Sequence, residues 1–221
     1  METLSGKIKK QTVISISIIF GYILILMIPI ARNAFTQLNS DHAYLMGFIN
    51  FTILSTLGEI ITLRTKHRQW VILAGLKYKI LLWGSIGVVV TFAFQLFAGG
   101  VAYLFATGAI DMAGNKFLLA FVTSVSMNAL FSPTFMLFHE VSAACIEQRA
   151  IGGTMTVKAV SQKIHWETFI SFVILKTIPF FWIPAHTLVF LLPEEYRIIG
   201  AAILSFVLGL ILSIKIRAPS I

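Results

Sequence analysis

Residues 176–197 read KTIPFFWIPAHTLVFLLPEEYR. The stretch is apolar enough to lie in lipid, yet it carries Lys176, His186 and prolines at 179, 184 and 193. Each of the first two prolines removes a backbone donor and clashes with the preceding turn, so a helix here is expected to kink and release carbonyls. Lipid offers no partner for them. A broken, charged span inside a bilayer therefore implies shelter by neighbouring helices or water, and this makes 176–197 the first place to look for a solute path.

The rest of the chain carries the same solvent signature. Of 221 residues, 57% are apolar and 12% charged, and the mean hydropathy is +0.89. A soluble globule of this size must cover itself with polar groups and cannot absorb such a composition. The net charge of +8 would point to nucleic acid in a soluble chain. Here the basic residues lie between apolar runs, where lipid headgroups are the natural partner, and no nucleic-acid partner is expected. The single cysteine, Cys145, excludes an internal disulfide.

Measured against the roughly 20 residues that a helix needs to cross a bilayer, the apolar runs give an all-α, polytopic bundle. About six transmembrane helices form one domain over 1–221, with spans near 12–31, 43–63, 80–104, 117–138, 168–192 and 198–214. The third run continues past Gly99 and Gly100, by tilting or as a surface piece. The first run follows Lys9 and Lys10 but is too long for a signal peptide, and ARNA at 31–34 is not a cleavage site of the A-x-A kind.

Short cytoplasmic loops retain lysine and arginine. With a cytoplasmic N-terminus, the inner side holds Lys7, Lys9, Lys10, Arg64, Lys66, Arg68, Lys77, Lys79, Arg149, Lys158, Lys163, Lys215 and Arg217; the outer holds Arg32, Lys116 and Arg197. Both termini are therefore expected inside. Val157, Val160 and Ile164, with Lys158, Lys163 and Trp166 around them, fit a helix lying on the headgroup layer or an ordinary connecting helix. Trp70, Leu73 and Leu76, beside Arg68, Lys77 and Lys79, suggest a second interfacial piece.

Polar residues inside the spans carry the functional pattern. Thr52, Ser55, Glu59 and Thr62 share one face of the second span. Ala120, Ser124, Asn128 and Ser132 in the fourth span, and Ala201, Ser205, Gly209 and Ser213 in the sixth, recur every four residues. Small residues at that spacing let helices approach and bond across an interface, so the last ladder reads as helix packing. A charge at depth is costly and by default functional. Lys176 lies about 12 Å into the fifth span, close in depth to Glu59, and an ion pair between them is expected.

No catalytic constellation emerges: HEVSA at 139–143 lacks the second histidine of a zinc helix. The expected topology puts His186 near the outer leaflet and His139, His165 and Cys145 inside, so one metal site should not contain them all. No cofactor, metal or enzymatic activity is expected. The candidate path residues are Thr52, Ser55, Glu59, Asn128, Lys176, Trp182 and His186.

Leu57-Gly58-Glu59-Ile60-Ile61 resembles the Leu-Gly-Asp segment near the start of the Mpv-seventeen and twenty-two-kilodalton peroxisomal membrane protein family. Asn128 to Pro133, NALFSP, is similar to that family's Gln-x-x-x-Ala-Pro segment, and Trp182-Ile183-Pro184, then Phe190, Pro193, Tyr196 and Arg197, to its tryptophan-proline span and close. The likeness runs over roughly residues 45–215. Met127 stands where the family has an acid, His186 near its glutamine, and an additional N-terminal span precedes the whole. The resemblance implies a small integral membrane protein of channel-like behaviour toward small solutes or ions.

The functional expectation is channel-like or weakly selective passage of such solutes. The competing class is a non-transporting membrane scaffold or accessory subunit, whose small-residue ladders hold partner helices. Expected partners are the lipid bilayer and a small solute, with a homo-oligomer left open. Lacking an arginine-rich, acid-free leader, the chain is expected in a bacterial inner membrane rather than a mitochondrial one.

Overall fold

A computed structural model describes the backbone of residues 4–67, 70, 75–110 and 114–215, with side chains from Ser15 and Ser17 onward as far as Gly209 and at Ile211, apart from 66–69. Among the described residues ten α-helices and one π-helix follow in order: α1 (Leu4–Met27), α2 (Pro29–Asp41), α3 (Ala43–His67), α4 (Leu76–Ala106), α5 (Lys116–Leu130), α6 (Ser132–Ala150), α7 (Val157–Ser161), α8 (Trp166–Thr168), the π-helix (Phe169–Trp182), α9 (Ile183–Leu191) and α10 (Glu194–Lys215). Among the described residues there is no strand. Three helices are long and apolar enough to cross a membrane, Ala43–Thr65, Leu76–Ala106 and Trp166–Leu191, or up to five if each of two bent pairs is one span.

The bends fall elsewhere than the proline-rich stretch predicts. Pro29 takes the first turn of α2, where its missing N–H is no loss, and forces Ile28 into extended backbone. The chain turns by 95° there, so the run read as 12–31 ends at Met27. Pro133 likewise opens α6, and the run read as 117–138 bends by 49° at Phe131. By contrast, Trp166–Leu191 continues as one rod through Pro179 and Pro184. It widens: the Ile183 N–H and the Thr177 hydroxyl both reach carbonyls five residues back, on Ile178 and Phe172. The kink expected in the fifth span is thus taken up by a broad π-register.

The third run is a single helix of 31 residues, about 46 Å long, with no separate piece after Gly100. Glu194 and Glu195 in the first turn of α10 complement its dipole, and Leu192 is extended ahead of Pro193.

Two close approaches fix the tight half of the bundle. Gly47 of α3 and Gly87 of α4 lie backbone to backbone: a Cβ on Gly47 would come 2.9 Å from the Gly87 carbonyl. About three turns further along α3, a Cβ on Gly58 would sit 3.1 Å from the Phe206 Cα, and one on Gly209 2.9 Å from the Thr62 hydroxyl. Dispersion across such short separations holds these helices together, the kind of contact by which helices associate in lipid. The ladder of α10 is therefore engaged inside the chain at Gly209, while Ala201 is buried beside it; the Ser213 side chain lies outside the described residues.

These contacts also sort the bundle's ends. Thr62, Lys79, Glu147 and Gly209 meet toward one end; the Tyr44–Gln95 hydrogen bond lies toward the other. Of the two readings left open for 157–166, the structure has the connecting helix: Val160 of the short α7 and Ile164 just after it are buried against Ala144 of α6. Of the second interfacial piece, Trp70 has the Arg64 guanidinium 4.9 Å above its ring, and residues 68, 69 and 71–74 lie outside the described residues.

Candidate functional site: a cavity between helices

Away from the glycine contacts, bulky side chains leave a void. A cavity of about 660 Å³ lies between α4, α6, the π-helix, α9 and α10. Its walls are mainly aliphatic and aromatic, among them Ile86, Val90, Phe135, Phe172 and Val173. Along α4 it runs from Trp83 to Phe94, about 16 Å at the helical rise. The volume and lining match those of small-molecule sites.

One end is closed by a polar network. Asn128, fully buried on α5, donates from Nδ2 to the Ser124 carbonyl (2.8 Å) and lies 3.1 Å from His186 Nδ1. Its Oδ1 accepts from the Ser132 hydroxyl at 3.0 Å and lies 3.3 Å from the same His186 Nδ1. The amide thus pairs with Nδ1 in either tautomer of His186, donating to it from Nδ2 or accepting from it at Oδ1. The Ser124 and Thr187 hydroxyls both donate to the Ile183 carbonyl, each at 2.7 Å, tying α5 to α9. His186 is stacked on Trp182 (centroids 5.0 Å, 27°) and edge-on to Phe94 (5.3 Å, 88°). The i, i+4 spacing of Trp182 and His186 is what superposes their rings.

The other end is polar and open. Glu140, His165 and Thr168 line it, and His165 and Thr168 are exposed. Trp83 and His139 lie against each other there, with centroids 4.9 Å apart. They also line an adjoining pocket of about 160 Å³ holding Glu59, Lys79, Glu147 and Lys163. Buried Lys79 is in ion contact with Glu59 and 3.5 Å from Glu147, and Trp83 Nε1 donates to the second oxygen of Glu59 at 3.1 Å.

The sequence-derived candidates divide accordingly. Trp182 and His186 line the cavity and Asn128 backs it; Ala201 and Ser205 form part of the α10 wall. The expected pair of Glu59 with Lys176 is corrected: Glu59 belongs to Lys79, one helical hairpin away, and Lys176 is exposed on the outer side of the π-helix with no ion-pair partner among the described residues. Ser55 is buried and Thr52 half-buried, Thr52 lying 2.6 Å from where a Gly84 Cβ would be. Neither lines the cavity, because the polar face of α3 is turned toward packed helices.

The three histidines, expected on opposite sides, all line the one cavity, since it runs through both depths. They are spread along it, and among the described residues no three histidine, cysteine or acidic groups converge on a metal position. Lys79, Trp83, Phe94 and His139 were not singled out as path residues. The spacing of Lys79 and Trp83, one turn apart and both in reach of a carboxylate, was the available signal. Comparison with known protein families, with curated proteins and with solved structures finds no match.

Proposed function

We propose that this chain is an integral membrane protein whose activity is the uptake and passage of small, largely apolar solutes through the cavity between α4, α6, the π-helix and α10. The single observation that carries this reading is the cavity's construction: apolar walls, one open polar end, and a closed end built from His186, Asn128 and Trp182. Such walls give a hydrated ion nothing to replace its water, so the channel-like expectation narrows to solutes with an apolar body.

The reading includes six crossings with both termini cytoplasmic, α1 and α10 completing the set. It is supported by the lysine and arginine bias and by the gathering of Lys79 and Lys163 around the pocket that holds Glu147, with Arg149 over the Tyr78 ring next to Lys79. A bacterial inner membrane, and kinship with the Mpv-seventeen family through Asn128–Pro133 and Trp182–Pro184, belong to the same proposal. The scaffold alternative needs the α10 ladder for partner helices, and Gly209 is occupied by Gly58 and Thr62.

Vesicles carrying the protein test the activity. A neutral dye with an apolar body and one polar head, slow to cross protein-free bilayers, should enter faster and saturably, and Ser205→Trp, which fills the cavity, should abolish the gain. Potassium conductance without dye entry would overturn the proposal. In a Cys145→Ala background, cysteines at Gly108 and Gly153 should label from opposite sides of the membrane; labelling from one side would overturn the six-crossing topology.

A further inference from the structure

The Trp182 indole is 7% exposed, lines the closed end of the cavity, and its Nε1–H has no hydrogen-bond partner among the described residues. A buried donor left in this state costs free energy until something accepts from it. One turn on, His186 has Nδ1 occupied by Asn128, which leaves Nε2 as the ring nitrogen available to the same end. An unpartnered indole N–H, stacked on an imidazole that offers Nε2, therefore stands at the bottom of an apolar chamber.

The charges around the chamber decide what accepts from them. Among the described residues that line it there is no lysine or arginine, and the only carboxylate, Glu140, is at the open end. A ligand carboxylate or phosphate at the closed end would lose its hydration with no cation to replace it. A cation would meet the indole N–H. A neutral carbonyl oxygen suits the place: it brings no charge, and its lone pairs can accept from that N–H.

Resting on the uptake reading above, we infer that the closed end of the cavity binds the neutral carbonyl oxygen of an otherwise apolar molecule, a ketone, ester or quinone, through Trp182 Nε1, with the His186 ring stacked alongside. The apolar body lies along Val90, Phe135, Phe172 and Val173 toward the polar mouth. Phe94 and Met127 close the space behind the carbonyl.

The test compares three probes on the full-length protein in nanodiscs, each displacing a neutral naphthylamine dye: a long-chain methyl ketone, the n-alkane of the same length, and the matching fatty acid. The ketone should bind about ten-fold more tightly than the alkane, and Trp182→Phe should lower that ketone-to-alkane ratio roughly five-fold. Ketone and alkane binding equally, with no effect of Trp182→Phe, would overturn the carbonyl site while leaving the uptake reading intact. So would the fatty acid binding most tightly. Failure of all three probes and of the dye to bind would overturn both. The ketone-to-alkane comparison needs no variant, so the result does not depend on how His186 or Trp182 substitutions fold.

Discussion

The two halves of this bundle are packed by opposite rules. Where α3 meets α4 and α10, glycines at 47, 87, 58 and 209 bring backbones together and leave no room for a Cβ. Where α4 faces α6 and the π-helix, Trp83, Phe94, Phe135, Phe172 and Trp182 hold the helices apart around about 660 Å³ of space. Small side chains make the rigid wall and large ones make the chamber. A tight half that cannot move is what lets a loosely filled half stay open without collapsing, since a bundle with bulky residues throughout would have no fixed surface against which to keep the void.

This contrast is most sharply broken at Gly87. Substitution by alanine drives a Cβ into the Gly47 backbone, which has no side chain to swing away. It should cost about 3 kcal/mol or prevent folding, read as loss of monodisperse protein or of thermal stability in detergent. The second largest effect is expected at the pocket joining the two halves. Lys79→Met leaves Glu59 and Glu147 facing each other without a cation; because Glu147 is half exposed, the loss should be about 2 kcal/mol rather than the full cost of a buried pair. Adding Glu59→Gln should restore part of it in a thermal melt.

Asn128→Ala comes third, at about 2 kcal/mol or somewhat less. It deprives the Ser132 hydroxyl and His186 of their buried partner, and it should loosen the closed end so that the preference for an acceptor-bearing solute falls. Smallest is Lys176→Met, within about 0.5 kcal/mol and without effect on solute entry, because the side chain is exposed on the far side of the π-helix. A large loss of transport there would restore Lys176 to the path and reverse the comparison.

Part of the tight half was open to reading from the chain. In the α10 ladder Gly209 packs closely on α3 while Ala201 and Ser205 line the chamber, and α3 begins with its apolar run at Ala43 but continues beyond 63 to His67. The Asn128 network was half visible, since Ser124, Asn128 and Ser132 recur every four residues, but its partner on α9 is 58 residues away and nothing local pairs His186 with Asn128. The Glu59 pairing misled for the same reason. Depth along a span matched Glu59 to Lys176, whereas the rotation of each helix about its axis, set by Gly47 and Gly87, turns Glu59 to Lys79 instead. Prolines misled differently: the pairs at 179 and 184 looked like the break, yet a wide helical register absorbs them, and the sharp turns occur at Pro29 and Pro133, where proline begins a helix. The chamber itself could not be read, because a void is a property of how several aromatic side chains meet.

The account rests on that chamber accepting a molecule. Titration of purified protein in nanodiscs with a neutral naphthylamine dye, for the native chain and for Ser205→Trp, measures this most directly. One saturable site in the native chain, absent from a Ser205→Trp variant that melts within a few degrees of it, is the predicted result. Equal dye binding by both would place the site elsewhere and contradict the account.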